Sequence, residues 1–256
     1  MMAGLLAMLG TAGCGGGDEQ ALPEGMVELA SATADLTASG RMDTVRLLGR
    51  PTDAGGAFHE DFTLLASRSP RTWALPNGAA SGYSPQLSLA DVTGDGRPEA
   101  LVSADTGGSG GMIAAAVVMV VAHGDGWRFR NVFDVEAGPA PELVGGFVAG
   151  EAAELEVRAP GLPPRQETLD LRGRYTDLGD QSPFDTRGAV RTPVQLWGGA
   201  VMAVSAVTLD DGRPALRLVQ QVRGVSNADR LAEVTTDLVW ERATWTTAGV
   251  VVRPLP

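Results

Sequence analysis

The chain has 256 residues, 44% apolar and 20% charged, with a formal net charge of −11 and a pI near 4.6. All 20 basic residues are arginine and no concentrated basic stripe interrupts the acidity, which argues against a nucleic-acid partner and in favour of cations. One cysteine and two histidines exclude a disulfide framework and leave little for a zinc or histidine-based catalytic centre, while 34 glycines and 16 prolines favour short strands joined by turns.

Residues 1–13, MMAGLLAMLGTAG, are small and apolar and lead to Cys14, after which Gly-Gly-Gly-Asp-Glu begins. The pattern predicts a signal peptide over 1–13, too short to span a bilayer as a helix, and a flexible tether over 14–30. Thr11-Ala12-Gly13-Cys14 resembles the lipobox of bacterial lipoproteins. That resemblance implies lipidation at Cys14 and attachment to the cell envelope by a lipid anchor alone.

From Ser31 onward the chain reads as short apolar runs bounded by Gly, Pro, Asp or Ser. Thr44 to Leu48, Phe62 to Ala66, Leu87 to Ala90 and Ala100 to Ala104 are examples, and each predicts a strand. Met112 to Ala122 is the longest run. It is too short for a membrane helix, and its clustered valines and flanking glycines predict a strand buried on both faces. Further on, Phe147 to Val157 and Gln166 to Leu171 are the next predicted strands.

Between two of these strands lies Asp91-Val92-Thr93-Gly94-Asp95-Gly96-Arg97-Pro98-Glu99. Side-chain oxygens stand at positions 1, 3, 5 and 9, where a tight loop can turn them to one centre, as calcium requires. Asp91, Thr93, Asp95 and Glu99 are the expected side-chain ligands, with the Arg97 carbonyl filling the seventh position and Gly96 supplying the sharp turn. An ordinary polar turn would use the same Asp and Gly residues.

The loop recurs. Asp35, Thr37, Ser39, Gly40 and Asp43 align without a gap on Asp91, Thr93, Asp95, Gly96 and Glu99. A third copy, Asp211-Gly212-Arg213-Pro214, repeats the centre but has Val207, Leu209 and Ala215 at ligand positions, so it is expected to be structural. Each glycine is followed 31 to 33 residues later by a tryptophan, Trp73, Trp127 or Trp245. The spacing of the copies leaves room for one degenerate unit. The expected organisation is therefore one mainly β domain over 31–256, with units near 31–86, 87–146, 147–199 and 200–256. Repeated antiparallel β-units of this kind give a propeller-like or stacked-sheet arrangement with very little helix.

The segment Tyr83 to Asp134, headed by SGYSPQLSLADVTGDGRPEALVSADTGGSGG, resembles the bacterial VCBS and FG-GAP repeat proteins, whose DxTGDG loops precede a strand. The resemblance implies a secreted, calcium-binding β-repeat protein of the envelope. It also implies a non-catalytic role in adhesion, scaffolding or binding a protein or glycan.

Other chemistry finds less support in the sequence. Thr106 to Gly111 lacks the GK[ST] ending of a phosphate cradle, and Ser109 is not in a GxSxG elbow. His59 and His123 sit at turn-like positions. An envelope hydrolase would need a carboxylate pair, for which Asp177 and Asp180 are candidates. Trp197 lies outside the tryptophan period and is the expected exposed indole, suited to a wall glycan.

Overall fold

A computed structural model describes residues 21–256 apart from 53–55, 68–71, 77–78, 109–110, 124–125 and 192. The predicted signal segment, Cys14, the first part of the tether and Ser109 lie outside the described residues. Those residues form fifteen strands, and helix is confined to short turns such as the 3-10 segment Thr176–Gln181. The chain is mainly antiparallel β, as the composition requires.

The first hairpin is β1 (Val27–Ala34) and β2 (Asp43–Pro51), followed by β3 (Phe58–Ala66) and the short β4 (Thr72–Ala74). The next meander is β5 (Gly82–Ala90), β6 (Glu99–Asp105), β7 (Ile113–His123) and β8 (Gly126–Asp134). These eight strands make one sheet in the order β1-β2-β3-β5-β6-β7-β8, with β4 beside β3. Only Phe58↔Tyr83 and His59↔Gly82 join its halves, so the sheet bends there and β1 comes to lie against β5. His59 is thus a strand residue at the junction rather than a turn residue.

A three-stranded sheet follows, with β10 (Ala152–Arg158) between β9 (Glu142–Val148) and β11 (Arg165–Asp170). The run Phe147 to Val157 is therefore two strands. A turn through Gly150 and Glu151, both at positive φ, splits it. The last sheet is a meander of β12 (Trp197–Thr208), β13 (Pro214–Arg223), β14 (Arg230–Glu241) and β15 (Thr244–Pro254).

Side-chain alternation explains how the sheets stack. On β7, Val118 and Val120 pack with Val45, Leu47, Phe62 and Leu64 of the first meander. Ile113, Ala115 and Val117, on the opposite face, pack with Leu216, Leu218, Leu238 and Trp245 of the last one. A strand buried on both faces must be apolar throughout, so the run needs no polar alternation. A third core joins β9, β10 and β11 to Val222, Leu231, Ala232 and Val234. Each fully buried aliphatic side chain contributes roughly 1.5–3 kcal/mol relative to exposure, and every residue from Ile113 to Val120 of β7 is buried.

The recurring tryptophans have a place in this plan. Trp73, Trp127 and Trp245 each lie on the fourth strand of a meander, β4, β8 and β15.

Candidate metal centre

The acidic loop closes the β5–β6 hairpin, with Ala90 opposite Glu99. Asp91 organises it: one carboxylate oxygen accepts from the Gly94 amide at 2.6 Å and the other from the Gly96 amide at 2.9 Å. Both glycines are at positive φ, +77° and +82°, where a side chain would strain the backbone. At the tip, Asp95 accepts from the Arg97 amide at 2.9 Å, and the Arg97 side chain is exposed.

Glu99 reaches in from the start of β6 and is only 2% exposed. Its Oε2 accepts from the Val92 and Thr93 amides at 2.9 and 3.2 Å, and its Oε1 from the Thr93 hydroxyl at 3.0 Å. Burial pushes its carboxyl up to about 7, although these three donors pull the other way; the Asp95 charge adds to the rise.

Asp91, Asp95 and Glu99 each bring a carboxylate oxygen within 4.8 Å of the other two, the one such cluster of three among the described residues. Opposite ligands of a calcium ion stand about 5 Å apart, twice the 2.3–2.6 Å ligand distance, so one ion can touch all three. Thr93 belongs to the same group. Its hydroxyl spends its proton on Glu99 and keeps lone pairs for a cation. The residues fit a hard cation with oxygen ligands.

The hairpin is also fixed from outside. Val92 is buried in the core shared with Leu216, and a side-chain carbon added at Gly94 would lie 3.3 Å from Pro214. The loop therefore rests on the β12–β13 hairpin.

Its siblings hold the shape with fewer acids. Ala34 pairs with Asp43 as Ala90 pairs with Glu99, and Asp43 is fully buried like its counterpart. Asp35 accepts from the Ser39 and Gly40 amides at 3.0 and 2.6 Å, which repeats the fold of the loop, but Ser39 puts a hydroxyl where Asp95 has a charge. In the third copy the strands pair further toward the tip, to Thr208↔Pro214, and Val207 becomes a strand residue. Asp211 there is bound by Arg213, whose guanidinium also meets Glu241 at 3.2 Å.

The other candidates separate. Asp177 and Asp180 lie on the exposed 3-10 segment, where Asp180 meets Arg191 at 3.6 Å, so they form no buried carboxylate pair. Trp197 is 65% exposed, at the start of β12. Asp229 forms a cluster that the sequence did not signal. It accepts from the Tyr175 hydroxyl at 2.6 Å, the Arg174 guanidinium at 3.1 Å and the Val225 amide at 2.9 Å. Arg174 also donates to the carbonyls of Arg230 and Leu255. These bonds tie the segment after β11 to the last sheet, and burial together with the Asp229 charge holds the Tyr175 phenol far above its ordinary range. Arg174 and Tyr175 lie more than 50 residues from Asp229, so no local pattern reveals the cluster.

Fold and loop together define an all-β protein of packed antiparallel meanders with one acidic hairpin loop. Over residues 153–252 the chain matches the family model of the YybI C-terminal domain. It is similar to the uncharacterized protein YybI of Bacillus subtilis (strain 168), 28% identical over 218 residues that cover 83% of this chain and 79% of that protein. No solved structure matches it. These findings overturn the resemblance to VCBS and FG-GAP proteins: the similarity is to a different family. The physical reason is that an Asp folding a glycine-rich turn over its own carboxylate is a local solution, open to any β-hairpin.

Proposed function

We propose that this chain is a calcium-stabilised, non-catalytic β protein of the bacterial cell envelope, tethered through lipid on Cys14. Asp91, Asp95 and Glu99 hold the ion, assisted by the Thr93 hydroxyl and the Arg97 carbonyl. The observation that carries this reading is the convergence of three carboxylates within 4.8 Å on one hairpin, one of them almost fully buried. Left without a cation, such a group repels itself. The ion's work is structural. It neutralises the loop where the hairpin rests on Pro214 and Leu216, and so secures the contact between the middle and last meanders. A surface held in this way serves to bind a protein or glycan outside the cell, where calcium is abundant enough for a site of modest affinity.

Thermal unfolding with calcium and with EDTA tests it. Binding to the folded state alone adds about 2.7 kcal/mol when calcium is at 100 times its Kd, or a rise of roughly 5–10 °C in Tm for a chain of this size. The double variant Asp91→Ala, Asp95→Ala should melt at one temperature in both conditions. Identical wild-type curves with and without EDTA would remove the metal from the proposal.

A further inference from the structure

The hairpin that ends the chain carries a tryptophan the repeat does not account for. Across β14 and β15, Trp240 pairs with Trp245. At the corresponding place in the other meanders, Leu64 pairs with Trp73 and Ala122 with Trp127. Trp245 is thus the fourth-strand tryptophan of its unit, and it behaves as one. It is 8% exposed, packs edge-on to Phe133 and gives its indole N–H to the Val132 carbonyl at 2.7 Å. Trp240 stands where the siblings have an aliphatic residue. It is half-buried, tilted at 62° to Trp245 with ring centres 5.1 Å apart.

These rings form one side of a cleft of about 580 Å³ between the β14–β15 tip and β8, within the range of small-ligand sites. Arg130, Asn131 and Asp134 are also among its lining residues. Their chemistry is complementary. Arginine offers a fork of donors, the asparagine amide both donates and accepts, and aspartate accepts, with one of its oxygens held by the Glu136 amide at 2.9 Å. The rim turn Arg242-Ala243 has positive φ at both residues, the two-residue turn that matches strand twist and fixes both tryptophans on one face.

We propose that this cleft binds a saccharide, one pyranose ring of a β-linked oligosaccharide lying on Trp240. A ring with equatorial substituents has a flat face of C–H bonds, which pairs with the negative face of an indole, and an edge of hydroxyls, which matches Arg130, Asn131 and Asp134. An indole beside arginine, asparagine and aspartate suits a ligand with both an apolar face and hydroxyls, rather than one that is wholly apolar or wholly polar. Trp197, although more exposed, is not among the residues that line this cleft.

The test is titration of the intact, calcium-loaded protein with chitotetraose and with cellotetraose, read by tryptophan fluorescence and by saturation-transfer NMR. Saturable binding in the millimolar range or tighter is expected for at least one of them. Trp240→Ala should weaken it about tenfold or more, and Asn131→Ala about fivefold, the value of one hydrogen bond. Trp240→Phe keeps an aromatic face and should stay close to wild type, which separates loss of the stacking surface from loss of the fold. Trp197→Ala should leave affinity unchanged. The proposal is overturned if neither saccharide saturates, or if both the Trp240→Ala and Asn131→Ala variants bind as well as wild type. It is overturned equally if a decaproline peptide binds the cleft more tightly than either sugar.

Discussion

Glu99 makes the metal-free protein less stable as the medium becomes less acidic. Its carboxyl titrates near 7 in the fold against an ordinary value of 4.5, because it is buried. A raised folded pKa gives stability that is fully present below the unfolded value and lost as pH rises through the folded one. The window is therefore about pH 4.5 to 7, and a shift of this size at about 1.4 kcal/mol per unit removes roughly 3 kcal/mol across it. Groups whose folded pKa is lowered, such as Asp170 and Asp35, act below that window, and Tyr175 acts above it. Urea unfolding in EDTA at pH 5, 6, 7 and 8 should show the midpoint falling with pH. Saturating calcium should flatten or reverse the trend, since the ion favours the ionised carboxylate. Glu99→Gln should remove most of the pH dependence and most of the calcium response, while its amide oxygen still accepts from Val92. A metal-free midpoint that stays level or rises from pH 5 to 8 would refute the reasoning. It would mean that the Val92 and Thr93 donors outweigh burial.

Three further outcomes follow from the Asp229 cluster and the β14–β15 turn. Asp229→Ala removes the acceptor of the Tyr175 hydroxyl and of the Val225 amide and one of the three acceptors of Arg174, and should cost about 3 kcal/mol in urea unfolding. Tyr175→Phe, which removes one donor, should cost about 1 kcal/mol, and equal losses would show that the cluster does not act through Asp229. Ala243→Gly relieves a left-handed alanine at φ 65° and should raise stability by about 0.5–1 kcal/mol, measured as a rise in Tm.

The parts of this fold legible in the sequence are those set by local chemistry. The acidic loops are visible because an aspartate, a glycine at positive φ and a second buried acid must stand at fixed offsets. Asp35, Gly40 and Asp43 repeat the plan of Asp91, Gly96 and Glu99 down to the strand register. The burial of β7 on both faces is visible because nothing in Ile113 to Ala122 alternates. Trp197 stood outside the tryptophan period and is exposed. What stayed hidden depends on distant partners. The Asp229 cluster joins the segment after β11 to the β13–β14 loop. The significance of Trp240 emerges only once Leu64 and Ala122 are seen at its place in the sibling hairpins. The turn at Gly150 is hidden because the apolar residues on both sides read as one run. The family resemblance misled for the opposite reason, since the loop is so locally determined that it carries little ancestry.

The two-sided burial of β7 bears on how the polypeptide can be divided. Residues 153–252 contain β12, β13 and β14, whose Leu216, Leu218 and Leu238 find their cover on β6 and β7. Excised, that segment would present a bare, sticky sheet to the solvent. The N-terminal half is in the same position, for Ile113, Ala115 and Val117 are sealed by strands synthesised a hundred residues later. During synthesis that apolar surface stays open until the last strands emerge, so truncation before them leaves an aggregation-prone face uncovered.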